Sequence, residues 1–412
     1  MMSEKDSISI KLVELDIPVT PQLPPLYHTT NGLPPDLMTP LKEALDAARP
    51  AFSSLLQTLN PDILLYDFIQ PWAPEEAYSQ NIPAVLFFTV GAAVTSFITH
   101  QWFDPETKYP FPAIYSRENE CNNYIRLVKQ ERSRVINCLK RSCDIVLIKT
   151  FRDLEGKYID FLSNLTGKKF VQVGPLVQVG PLATDQNEEN DHEIMEWLDG
   201  KDIRSTVFAS FGTEYFLSED EIEEIALGLE LSNVNFIWVL RFPSGDREKT
   251  IDQLLPQGFL ERVKGKGKVV EGWGPQQKIL SHKSVGGFLS HCGWSSIMEG
   301  IYFGVPIIAV PMHLDQPLNA RLVEEVGFGE EVVRNRDGKL ERSEVARVVK
   351  KSVMDEMMRR RVEELSEEMR GKGEEEIDVV VEELVKLCRR EEKWRSNHSP
   401  VKQLSDLMYV YE

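Results

Sequence analysis

Between Trp273 and Gln316 the chain reads WGPQQKILSHKSVGGFLSHCGWSSIMEGIYFGVPIIAVPMHLDQ. A tryptophan, a glycine-framed turn and an Asp-Gln pair share this stretch, and they are the parts needed to hold a base, a pyrophosphate and a sugar in line. The run Gly286–Gly304 reads as strand, tight turn and helix. A helix opening at Trp294 or Ser295 points free N–H groups and the positive end of its dipole at the turn, which suits a pyrophosphate. Gly293 lacks a Cβ and lets the backbone approach phosphate oxygens. Ser295 and Ser296 add hydroxyl donors, and His291, ending the strand, can donate to the same oxygens. Charge developing on a departing diphosphate would there meet fixed dipoles. Glu299, four residues after Ser295 on the same helix face, can accept from both ribose hydroxyls. Trp273 offers a flat surface for a base, worth about 1–3 kcal/mol by analogy with base–aromatic stacking. Gln276 can reach the base or ribose. Asp315 and Gln316 follow a strand ending near Pro311 and can pair with hexose hydroxyls. Singly, each element has a plain structural reading: a core tryptophan, a common strand–Gly–helix turn, a helix start. At these spacings together they read as one site. Nothing resembling a carboxylate pair in a metal-binding setting accompanies them, so no metal is expected.

The elements that must position these residues alternate short apolar runs with helical stretches, the pattern of parallel α/β sheets. Ile8–Leu15, Ile63–Tyr66, Ala84–Phe88 and Ile145–Ile148 read as buried strands in the first half. Leu37–Leu59 is the clearest helix, with Pro40 and Pro50 near a start or a kink. A perfect repeat, VQVGPL at 171–176 and 177–182, then the polar run Thr184–Asp191, marks a linker. Beyond it Thr206–Ser210 is a strand, followed by the turn Phe211-Gly212-Thr213. Ser218 with Glu221 three residues on forms a capping box that opens a helix. Strands recur at Asn235–Arg241, Lys268–Gly272, Gly286–Ser290 and Val305–Val310. Glu341–Arg390 is helical by composition, and the tail from Glu391 reads as loosely ordered. The expected division is a first domain at 1–175, a linker at 176–194, a second domain at 195–375, and a helix and tail at 376–412.

The box from Trp273 to Gln316 closely resembles the signature of plant family 1 UDP-dependent glycosyltransferases, and the likeness extends over most of residues 8–390. It implies the GT-B fold, two doubly wound domains facing a cleft, with the first domain holding the acceptor. It also implies a UDP-sugar donor, UDP-glucose where the box ends in glutamine, and no cofactor. The loop Ser210–Thr213, with Gly212 and Thr213, matches a family loop near the donor phosphates. Gly293 and Trp294 fall within the family's HCGW motif; the asparagine that usually follows is here Ser295, a donor of shorter reach. The pieces KTFRDLEGKYIDFL, WLDGKDIRSTVFASFGTEYFLS and NFIWVLRFP are similar to a subgroup that adds a sugar to a sugar already on a triterpenoid, flavonoid or carotenoid-derived aglycone. Cucurbit enzymes that extend mogrosides are the likeness suggested.

Inverting transfer requires the acceptor hydroxyl to lose a proton, and a neutral histidine steadied by an aspartate does this near pH 7. Asp67 in NPDILLYDF matches the family's aspartate; its structural alternative is a helix-capping carboxylate before Pro71. The family's histidine lies in a glycine-flanked loop after its first strand, and no such loop precedes Ile8–Leu15. The expectation is a first domain lacking its first strand, helix and second strand, with exposed edges and impaired transfer. His28 reads as structural or acceptor-side, and His100 as facing the acceptor pocket or packed in the core. Phe68, Trp72, Phe87 and Phe88 are apolar acceptor candidates.

Composition narrows the partners. A net charge of −18 over 412 residues argues against nucleic acid and anionic membrane surfaces. No apolar stretch reaches the roughly 20 residues of a membrane span, and no secretory signal is visible. Five cysteines, Cys121, Cys138, Cys143, Cys292 and Cys388, lack metal-type spacing and read as reduced thiols in the cytoplasm. The expected partners are therefore a UDP-sugar and a small lipophilic glycoside. A non-catalytic UDP-sugar-binding protein is the alternative; a nicotinamide oxidoreductase would need a G-x-G-x-x-G turn that is not present.

Overall fold

The computed structural model describes residues 10–30, 33–177, 188–213, 215–242 and 250–397. Ten strands form two wholly parallel sheets. The first contains β1 (Leu64–Tyr66), β2 (Ala84–Phe88), β3 (Ile145–Ile148) and β4 (Lys169–Gln172), side by side in chain order. The second contains β5 (Thr206–Ser210), β6 (Asn235–Leu240), β7 (Gly267–Glu271), β8 (Val285–Ser290), β9 (Ile307–Ala309) and β10 (Gly329–Glu331), in the order β10-β9-β8-β5-β6-β7. β3, β5, β8 and β9 are buried at every position. Helices cover both faces of such a sheet, which is why these segments read as unbroken apolar runs rather than alternating ones.

The strand order of the second sheet places the ligand crevice. From β5 the chain winds to β6 and β7 on one side, then returns to lay β8, β9 and β10 on the other. The loops leaving β5 and β8 therefore diverge, and a crevice opens at their carboxyl ends. The His291–Gln316 part of the box lies on the β8 side of that crevice, and the Phe211–Thr213 turn and Trp273, which follows β7, lie on the β5 side.

Several expectations are met and several corrected. The capping box forms as read: Ser218 Oγ accepts from Glu221 N, and Glu221 Oε2 accepts from Ser218 N at 3.0 Å. The expected helix over Leu37–Leu59 is two helices, Met38–Ala47 and Arg49–Leu59, because Pro50 lacks the N–H needed to carry the ladder across Ala48. The expected strand Ile8–Leu15 does not form over 10–15: these residues join no ladder, and Ile10, Leu12 and Val13 are exposed. Residues 8 and 9 lie outside the described residues. No described segment pairs with the free side of β1, where Leu65 is 46% exposed, and a lone strand without a partner is not stable. β4 and β10 were not anticipated.

The charged stretch after Glu341 forms the helices Arg342–Met354 and Glu356–Asn397. The second continues through the expected loose tail as far as Asn397; residues 398–412 lie outside the described residues. Its Val380 and Leu387 seat on Val85, Ile145, Leu147 and Val171, so a helix from the end of the chain covers the outer face of the first sheet. Lys372 pairs with Asp153 at 2.7 Å and Lys169 with Glu383 at 3.2 Å along this contact. Among the described residues, no helix is long and apolar enough to cross a membrane.

Candidate active site

β8 ends at Ser290, and three residues, His291-Cys292-Gly293, turn the chain into the helix Trp294–Tyr302, for which Gly293 is the N-cap. Cys292 is fully buried in the left-handed region at φ 64°, which costs a side-chain-bearing residue about 1–2 kcal/mol. Its N–H donates to Ser290 Oγ at 3.2 Å, and its carbonyl accepts from Asn319 Nδ2 at 3.0 Å. Asn319 also donates to Asp315 Oδ2 at 2.8 Å, so one buried amide joins the β8 turn to the β9 turn. Sequence reasoning missed Asn319, because its partners lie in other elements and no local spacing signals it.

His291 lies between two glycines. A Cβ on Gly212 would stand 2.7 Å from the ring's Nε2, and one on Gly293 would stand 2.5 Å from the same atom. Burial, with His313 nearby, pushes His291 down to about 4. At neutral pH the ring is uncharged, with one N–H to donate. Such a ring can offer an anion a hydrogen bond but no charge.

The helix N-terminus beyond Gly293 presents its amides with Ser295 exposed and Ser296 half-buried. Trp294 is only 4% exposed, and its indole N–H donates to the carbonyl of Lys149 at 2.6 Å. Its ring also lies against Gly91, where an added Cβ would stand 3.0 Å away. Trp294 is thus a wedge between the two sheets' domains, with its one polar atom already used. Glu299, one turn on from Ser295, accepts from Gln276 Nε2. The structure brings these two expected nucleotide contacts together and leaves the second Glu299 oxygen for hydroxyl groups.

The remaining residues line the edge on either side. Trp273 follows β7 and is 57% exposed, which excludes a core role; Arg241, leaving β6, lies 5.8 Å over its ring and donates to the carbonyl of Gly212. Thr213 is exposed. After β9, the Tyr215 ring meets His313 at 5.2 Å, and burial lowers the His313 pKa. Asp315 precedes the helix Gln316–Val326. Gln316 is 5% exposed, with its amide oxygen accepting from the N–H groups of Met312 and His313 at 2.9 and 3.1 Å. Only its NH2 group is left for a ligand. Trp273, Arg241, Gly212, His291 and Asp315 thus follow β7, β6, β5, β8 and β9 in spatial order. Four inter-strand steps of about 4.8 Å make this row roughly 19 Å long. A cleft of about 300 Å³ lies at the opposite edge against His282, Lys283 and Gly304, away from all these groups.

In the first domain Asp67 follows β1. Its Oδ1 accepts from the N–H of Ile69 at 3.1 Å, so it fastens the turn at 67–70 rather than capping the helix Ala73–Ser79. Burial raises its pKa. No histidine is bonded to it among the described residues. His28 is half-buried in its Pro-rich loop. His100 is 2% exposed, bonded to Thr107 Oγ1 and set against Tyr109 and Phe161, which is the core packing of its two expected readings. Trp72 and Phe88 are likewise core residues, and Phe87 packs in the cluster beneath the C-terminal helix; Phe68, half-buried and stacked on Phe88, is the remaining candidate. Among the described residues no cluster of metal-ligating side chains occurs.

Two parallel α/β domains meeting at a crevice, with an amide-lined anion cradle at the switch point, define a glycosyltransferase of the GT-B class. Comparisons with known proteins agree: residues 168–383 match the family described as UDP-glucoronosyl and UDP-glucosyl transferase, and residues 2–178 match the glycosyltransferase N-terminal domain. The chain belongs to the plant family 1 UDP-glycosyltransferases, whose donors are UDP-sugars. It is 50% identical to mogroside IIIx synthase of Siraitia grosvenorii, over 93% of this chain and 83% of that one. It is 48% identical to beta-D-glucosyl crocetin beta-1,6-glucosyltransferase of Gardenia jasminoides, over 93% of this chain and 88% of that one. A solved structure of Phytolacca americana UGT2 with UDP-2fluoro-glucose and pterostilbene superposes with a TM-score of 0.71 at 28% identity, covering 85% of this chain and 81% of the other.

Proposed function

We propose that this enzyme transfers glucose from UDP-glucose, with inversion, to a hydroxyl of a sugar already carried by a small-molecule glycoside, such as a triterpenoid mogroside or a flavonoid glucoside. The row of groups from Trp273 to Asp315 along one sheet edge carries the reading. In it uracil stacks on Trp273 and ribose meets Glu299. The diphosphate lies at the amides after Gly293, beside Ser295, Ser296 and His291, near Gly212 and Thr213. The hexose reaches Asp315 and the Gln316 NH2 group. The glycoside acceptor is supported by relatives whose printed names specify a mogroside product and a glucosylated crocetin substrate. The thiols of Cys138, Cys143 and Cys292, outside any disulfide, suit a cytoplasmic location.

Where no base stands beside Asp67, proton removal limits the reaction and transfer falls on the order of 10²–10⁴. The test pairs calorimetry with UDP and mass spectrometry of mogroside and flavonoid glucosides incubated with UDP-glucose. UDP binding with slow addition of one hexose is expected. Glu299→Ala should weaken UDP about 10- to 100-fold through loss of charge-assisted bonds to ribose; an unchanged affinity sinks the donor placement. UDP binding with no hexose addition to any acceptor favours the second reading, a non-catalytic sugar-nucleotide binder.

A further inference from the structure

Lys149 is the first residue after β3, and its carbonyl is held by the Trp294 indole across the domain boundary. With the main chain fixed there, its side chain reaches the donor helix, and Nζ donates to Ser295 Oγ at 2.9 Å. We propose that Lys149 is the cation the first domain supplies to the donor diphosphate. This deepens the donor reading above and rests on it.

The argument is electrostatic. Nζ stands at the N-terminal turn of the helix Trp294–Tyr302, where the dipole is positive and a cation is disfavoured. It is half-buried, and among the described residues it forms no ion pair with a carboxylate; Glu299 acts on it only through space. Burial lowers its pKa, with Glu299 opposing. A partly desolvated ammonium facing the positive end of a helix is unfavourable twice over. An anion placed between them reverses both effects, since it pairs with the ammonium and accepts from the helix amides.

During transfer the bond between the anomeric carbon and the β-phosphate oxygen breaks, and its electron pair stays on that oxygen. A bond forms from the acceptor oxygen to the same carbon, and the acceptor's proton passes to solvent. Lys149 takes no proton in this step. Its charge, with the helix amides, meets the charge left on the diphosphate. Because it comes from the opposite domain, it acts only when the cleft is closed around Trp294.

The test measures affinities of the full chain for uridine, UMP and UDP by calorimetry, for wild type, Lys149→Met and Lys149→Arg. Lys149→Met should weaken UDP about 10- to 30-fold, leave uridine unchanged, and flatten the salt dependence of UDP binding; Lys149→Arg should restore most of the loss. Wild-type UDP affinity should also fall as pH rises through the lysine's lowered titration, while the methionine variant shows no such limb. Parallel losses for uridine and UDP, or no loss for UDP, overturn the proposal while leaving the donor site standing. Failure of wild type to bind UDP at all overturns both.

Discussion

At position 293 a single methyl group would decide whether the anion cradle exists. Gly293→Ala puts a Cβ 2.5 Å from His291 Nε2, closer than such contacts come, so the ring has to shift. The expected cost is about 1–3 kcal/mol of stability and at least about a tenfold loss of UDP affinity; calorimetry showing wild-type binding would remove His291 from the site. The same histidine makes a pH prediction. Its ordinary value is 6.5 and its folded value about 4, so between those values the unfolded chain binds more protons. Its contribution to stability is full above pH 6.5 and is lost as pH falls toward 4. Denaturant titrations at pH 7.5 and pH 5 should show a larger acid loss for wild type than for His291→Asn. Equal losses would mean that the ring is solvated.

Among the elements, the helix Ala92–Phe103 shows how one part of the chain completes another. Its N-cap is Gly91, which has no side chain to offer, and the N–H groups of Ala92 and Ala93 instead donate to the carboxylate of Glu155 at 2.8 and 2.7 Å. Glu155 leaves helical geometry, at φ −128° and ψ 18°, to reach them from within the helix Arg152–Thr166. Removing it by Glu155→Ala strands two buried donors and should cost about 2–4 kcal/mol, read as a lowered denaturation midpoint. Burial raises Glu155 to about 7 from 4.5. The folded state therefore holds an extra proton between those values, and this group's contribution falls as pH rises through them. The advantage of wild type over Glu155→Gln should shrink from pH 4.5 to pH 7; a constant gap would show that the carboxylate does not titrate there. Such pairings explain what could be read in advance. The buried strands and the capping box at Ser218 were legible because burial on both faces and local capping leave local patterns. β4 (KFVQ) and β10 (GEE) were not, since short edge strands owe their pairing to neighbours rather than to composition. Ile8–Leu15 misled for the converse reason: an apolar run needs a ladder, and the described residues offer none. In the candidate site, the strand, turn and helix between Gly286 and Gly304 were readable from spacing. The wedge made by Trp294 and the links through Lys149 and Asn319 join elements far apart in the chain and leave no spacing to read.

Across the whole molecule, the two domains are joined by buried charge as well as by Trp294. Arg321 and Glu331, each 2% exposed, pair at 2.6 Å within the second domain. From the first domain Arg117 reaches Glu331, and Glu120 reaches Arg321; Tyr158 and Lys157 add bonds to Glu325 on the same helix. Burial raises the pKa of Glu331, and Arg321 and Arg117 oppose that rise from the two sides of the cleft. Removing one member of such a group leaves an uncompensated buried charge, and Arg321→Ala should cost about 3–5 kcal/mol. Arg117→Ala is milder, because Glu331 keeps Arg321, but it severs a bond that crosses the cleft. Its expected signature is faster hydrogen exchange in the helix Trp294–Tyr302 and around Lys149, with UDP affinity reduced by the fraction of molecules standing open. If Arg117→Ala lowered stability while leaving exchange at that boundary unchanged, the network would serve the folding of the second domain alone and closure would rest on Trp294.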